Sequence, residues 1–153
     1  LKLGINIVNG DTMRERTFVP AVHGLLDTIR DGHPHTPILV VSPIFCPSAE
    51  DHPGPTVMSA DGGFDVITGS EAIREGCLTL RRIRELLSGI VEARAAAGDV
   101  HLAYLDGLEL FGADDAGDLP DRLHPNSAGY TRMGERFAAL AFADRGPLTV
   151  LPT

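Results

Sequence analysis

The chain has 153 residues, 43% of them hydrophobic and 22% charged, with a formal net charge of −8 at pH 7. That is enough chain for one ordinary globular domain that buries about two-thirds of its unfolded surface, and single-domain organisation over residues 1–153 is the expectation. The acidic balance argues against a nucleic-acid partner, whose phosphates would be repelled, and the longest apolar runs, Pro37 to Ile44 and Phe137 to Ala143, fall far short of the roughly 18 residues of a membrane span.

In chain order, Leu3 to Val8 is a short apolar run ending at Asn9-Gly10-Asp11, which predicts a buried strand and a turn. Phe18 to Arg30 carries Phe18, Val22, Leu25, Leu26 and Ile29 at helical spacing, with Gly32 as a stop. His33 and His35 follow in a solvated turn without further ligands for a metal. Pro37 to Pro43 is a β-branched run suited to a parallel strand covered on both faces. Residues 54–69 predict a small β-hairpin inserted beside the main sheet, turning at Ala60-Asp61-Gly62-Gly63, and this hairpin is a candidate lid.

A helical pattern then runs from Gly69 to about Ala97, its Arg81, Arg82 and Arg84 predicting a solvated basic face. His101 to Leu105 reads as a third buried strand, Asp106 to Asp118 as an acidic loop, and Asn126 to Phe142 as a last helix capped by Asn126. Strands alternating with helices give an α/β fold, a three-layer α/β/α (flavodoxin-like) arrangement around a parallel sheet, where ligands collect beyond the carboxyl ends of the strands. The two cysteines, Cys46 and Cys77, suit neither a zinc site nor a disulfide framework and read as unbridged thiols.

Chemistry concentrates in Asp121-Arg122-Leu123-His124-Pro125. A carboxylate three positions before an imidazole can fix its tautomer and stabilise the imidazolium that forms when it takes a proton. Pro125 disfavours helix at His124, leaving it extended just before the last helix. Asn6, in the run Gly4-Ile5-Asn6-Ile7, is a carboxamide among apolar residues, able to donate to a developing oxyanion. Taken separately, each pattern also fits a bland reading, a helix cap at Asp121 and a turn cap at Asn6.

Together, Gly4-x-Asn6 and Asp121-x-x-His124-Pro125 resemble the third and fifth sequence blocks of the SGNH, or GDSL-like, serine hydrolases and acyltransferases. The resemblance implies that His124 is the general base, Asp121 its orienting acid and Asn6 an oxyanion-hole donor, with Ile7, Ile44, Phe45 and Leu123 shaping an acyl pocket, and it calls for no cofactor or metal. Three departures stand out. Ile7 occupies the place of the family's usual Asp, the second block has no match, and the Gly-Asp-Ser block with the nucleophile is absent.

Ser42, Ser48, Ser59, Ser70, Ser88 and Ser127 lie in other contexts, and none of these has the strand-to-helix elbow that exposes a nucleophile; Cys46 has no base beside it in sequence. The resemblance therefore implies that this chain supplies the C-terminal three strands of such a domain, and that the Ser belongs to an N-terminal segment or a companion chain. The expected activity is a serine esterase acting on a small-molecule ester through an acyl-enzyme. The alternatives are an acyltransferase that moves the acyl group from a donor to an alcohol of a small molecule such as a polyketide, and a catalytically inactive fragment or binding domain.

Overall fold

The computed structural model describes residues 1–67, 75–144 and 146–149. Its elements in order are α1 (Ile5–Asn9), α2 (Glu15–Gly32), β1 (Ile38–Val41), β2 (Thr56–Met58), β3 (Phe64–Val66), α3 (Leu80–Ala96), β4 (Leu102–Leu105), α4 (Gly107–Leu110), a 3₁₀ helix (Ala113–Asp118) and α5 (Ser127–Ala141). The fold is α/β: β1 and β4 pair in parallel, Ile38 opposite Leu102 through Val41 opposite Leu105, while β2 and β3 form a separate antiparallel pair. All four β1 residues are buried, as a strand covered on both faces requires.

Alternation along β1 divides its side chains between two cores. Ile38 and Val40 join Phe18, Val22 and Leu26 of α2 with Ile83, Leu87 and Ile90 of α3. Leu39 and Val41 pack with Leu110, Phe111, Leu119 and Ala141, on the side of α4 and α5. The sheet is thus sandwiched between helical layers. Helix α3 starts where Thr79 accepts a hydrogen bond from the Arg82 amide, and α5 where Asn126 accepts one from Gly129.

Four sequence expectations are corrected. Leu3 to Val8 is not a strand: residues Leu1 to Leu3 meet β1 through one parallel bridge, Lys2 to Val41, and the chain then turns into α1. A short apolar run without alternation does not distinguish strand from buried helix, and here Ile5 and Val8, one turn apart, both face the core. Gly4 permits the switch at φ +118°, and the room it leaves is taken by Ile83 and Pro43. Among the described residues the parallel sheet accordingly has two full strands and a bridge rather than three strands.

The helix expected from Gly69 begins at Leu80; residues 75–79 form a turn and an isolated bridge, and residues 69–74 of that expectation lie outside the described residues, as do 68–69 of the hairpin. The acidic loop Asp106 to Asp118 contains α4 and the 3₁₀ helix, because Asp106 caps the first through the Leu108 amide and Asp115 binds Arg132 and Arg136 of α5. The solvated basic face also fails at Arg84. Arg81 and Arg82 sit at the surface with Asp51 and Glu15, but Arg84 is buried against Glu50 and the Pro43 carbonyl, where burial lowers its pKa.

Candidate active site

The loop between the 3₁₀ helix and α5 is shaped by its own hydrogen bonds. Asp121 Oδ1 accepts from the amides of Leu123 at 3.0 Å and His124 at 2.6 Å, which closes a tight Asx-type turn. Arg122 sits inside that turn in the left-handed region at φ +65°, sparsely populated by non-glycine residues. The other carboxylate oxygen, Oδ2, lies 2.7 Å from His124 Nδ1. Burial acts to raise the Asp121 pKa, but the hydrogen bonds from the His124 amide, the His124 ring and the Leu123 amide outweigh it and hold the carboxyl down at about 2. An ionised Asp121 makes Nδ1 the protonated nitrogen, so Nε2 of the neutral ring carries the lone pair.

Asn6 lies in the first turn of α1, a helix with Gly4 as its N-cap and Gly10 as its C-cap. Among the described residues its carboxamide makes no hydrogen bond to protein, which leaves both amide hydrogens available to a ligand. The structure brings Asn6 and His124, from opposite ends of the chain, to the wall of one cavity of about 150 Å³. Ile44 and Leu123 line it as well. Asp121 stands behind His124, bonded to Nδ1 rather than lining the cavity itself. Ile7 and Phe45 do not line it: Ile7 packs against the core, and Phe45 is fixed by its amide to the Phe111 carbonyl at 3.0 Å. A larger groove of about 880 Å³ around Arg14, Arg16 and Pro20 holds none of these residues.

The remaining cavity residues are Lys2, Ile5, Asn9 and Tyr130, which the sequence reading missed, together with Pro125 of the His124 motif and Cys46, which it weighed as a nucleophile and set aside. Ile5 and Asn9 join Asn6 through helical spacing, so reading Leu3 to Val8 as a strand hid them; Tyr130 ends the first turn of α5, just beyond Pro125. Desolvation lowers the pKa of Lys2. The wall is therefore mixed: Ile5, Ile44, Leu123 and Pro125 are apolar, while Lys2, Asn6, Asn9, His124 and Tyr130 bring polar groups to it.

Four serines have hydrogen-bonded hydroxyls among the described residues. Ser42 Oγ accepts from the Gly107 amide at 2.9 Å and lies 2.9 Å from the Tyr104 hydroxyl; Ser48 pairs with Cys46, Ser59 with Asp61, and Ser88 with Glu92. Ser127 begins α5, and Ser70 lies outside the described residues. Cys46 is buried, its Sγ donating to the Arg122 carbonyl at 3.3 Å, and no disulfide joins it to Cys77. Among the described residues no cluster of three or more metal-ligating side chains occurs, and no helix is long and apolar enough to cross a membrane.

Among solved structures the chain is similar to a salicylyl-acyltransferase, SsfX3, from a tetracycline biosynthetic pathway, with 25% sequence identity and a TM-score of 0.66. The match covers 89% of this chain and 34% of that one, so the chain spans about a third of the length of that protein. No protein-family model and no curated protein matches the sequence.

Proposed function

We propose that this chain supplies the base and oxyanion side of an acyl-transfer site of the SGNH type, and that the reaction is transfer of a short acyl group to an alcohol. The observation that carries the reading is the convergence of Asn6 and the Asp121-paired His124 on one small cavity. In this reading a serine from outside these residues attacks the acyl carbonyl. Its proton passes to His124 Nε2, Asp121 stabilises the imidazolium, and the Asn6 amide holds the tetrahedral oxyanion. His124 then returns the proton to the leaving group, takes another from the acceptor alcohol as its oxygen attacks the acyl-serine carbonyl, and gives that proton to the departing serine oxygen, which restores the hydroxyl.

The likeness to an acyltransferase supports transfer over hydrolysis. Hydrolysis is the same chemistry with water in place of the alcohol as acceptor, and it stands as the second reading.

The test is a fluorophosphonate label and an acyl-transfer assay on the full-length polypeptide. His124→Ala is expected to abolish labelling and turnover, and Asn6→Ala to lower turnover by about 100- to 1000-fold while the serine is still labelled. Unchanged labelling and turnover in His124→Ala would remove the assignment. Product analysis with an alcohol present separates ester from free acid, and free acid alone would establish the esterase reading.

A further inference from the structure

The hairpin β2–β3 has no part in the proton-transfer scheme, yet it touches both halves of the site. From β2, the Thr56 hydroxyl donates to Asn9 Oδ1 at 3.1 Å, tying the hairpin to the helix that carries Asn6. From β3, the Phe64 amide donates to the Asp121 carbonyl at 3.0 Å. The Phe64 ring stands nearly perpendicular to the His124 imidazole, with centroids 5.7 Å apart and planes at 79°.

Between these contacts, Arg122 reaches from the Asp121–His124 turn into the hairpin loop. Its guanidinium donates to both carboxylate oxygens of Asp61, at 2.9 and 3.0 Å, and to Ser59 Oγ at 2.7 Å. Gly63 leaves the space for it, since any side chain there would collide with the guanidinium. Hydrogen bonds from Arg122, Ser59 and the Gly63 amide hold the Asp61 carboxyl well below the usual range, so the clamp stays charged throughout the neutral range.

Resting on the reading of His124 as the base, we infer that the hairpin is a fixed brace that sets the spacing of α1 from the Asp121–His124 turn, and that Phe64 is the positioning residue that holds the imidazole plane. The hydrogen bond to Asp121 anchors one ring atom but leaves the ring free to swivel about that contact. Within these residues the side chain is 60% exposed, and the perpendicular Phe64 ring is the wall they set against the swivel. In this arrangement the hairpin is bonded to the Asp121–His124 turn, and Phe64 does not line the cavity.

Phe64 should act on turnover and not on acyl binding. In the full-length polypeptide, Phe64→Leu is expected to lower kcat by about 10-fold, the cost of a small misplacement of a reacting group, with KM within about twofold. The low-field proton resonance of His124 Nδ1–H should broaden as the ring gains freedom, and Phe64→Tyr should restore both rate and resonance. A wild-type kcat and an unchanged resonance in Phe64→Leu would overturn the brace, and so would a loss that raises KM and is not rescued by Tyr. Comparison with His124→Ala keeps the two readings apart. If that variant remains active the base assignment falls, while the Nδ1–H resonance still decides whether Phe64 fixes the ring.

Discussion

Asp121 uses its two oxygens for different purposes: Oδ1 folds the turn by accepting two amides, and Oδ2 orients the imidazole. Replacement by Asn separates them, because an amide keeps the shape of the turn but presents a donor as readily as an acceptor. A neutral ring then adopts the wrong tautomer half the time or more, and under the proposed acyl transfer the turnover of the full-length polypeptide is expected to fall by roughly 1,000- to 10,000-fold. The same residue contributes to stability with a defined pH dependence. Its folded pKa, about 2, lies below the ordinary carboxylate value, so the stabilisation is fully present above about pH 3.9 and is lost as pH falls through about 2. With the side chain 28% exposed, solvent screening keeps the effect to about 1–2 kcal/mol. Urea melts of Asp121→Asn should therefore trail wild type at pH 6 and converge with it near pH 2; a gap that stays constant over that interval would show that the carboxylate's charge is not its source.

At the level of elements, α1 rests on one residue without a side chain. A Cβ at Gly4 would stand 2.6 Å from Ile83 Cγ2 and 2.8 Å from Pro43 Cγ, on a backbone at φ +118°. Gly4→Ala is expected to destabilise the protein by about 2–3 kcal/mol, through strain plus overpacking, and to displace Asn6 with the helix. Thermal unfolding checks the first effect, and a turnover loss as large as that of Asn6→Ala checks the second. A variant with the wild-type Tm would show that Ile83 gives way freely. This position also shows what was legible in the sequence. β1 and β4 were readable as short apolar runs suited to buried strands, α2 because its apolar residues repeat at helical spacing, and α5 because Asn126 announced its start. Asp121 and His124 were readable because their contact is local, three residues apart. Leu3 to Val8 was not, since six residues hold too few turns to show a period, and its true partner, Ile83, lies far along the chain. Lys2 and Tyr130 escaped for the same reason, being joined to the cavity by tertiary packing alone. Arg84 was misread because helical spacing does not reveal that Glu50 waits on the buried side.

In the molecule as a whole, one central strand is common to both cores. Ile38 and Val40 belong to the core under α2 and α3, Leu39 and Val41 to the core under α4 and α5, and none of the four is more than 7% exposed. Neither layer can lose its packing without stripping one face of β1, whose hydrogen bonds to β4 then open to water. The two layers should for this reason unfold as one cooperative unit, although the site draws on both: α1 packs with the first core, and α5 with the second. Leu87 and Phe111, both fully buried, probe the layers separately. Leu87→Ala is expected to cost about 2–5 kcal/mol and Phe111→Ala about 3–5 kcal/mol, from lost burial and the cavities left behind. Urea unfolding followed by far-ultraviolet circular dichroism and by tyrosine fluorescence distinguishes the outcomes, since Tyr104 lies on β4 beside the first core and Tyr130 on α5 at the cavity. Coincident transitions in both variants, shifted to lower urea with unchanged slope, are the expected result. Separate transitions, with Phe111→Ala melting α5 ahead of the α2 and α3 layer, would show that the two layers fold independently.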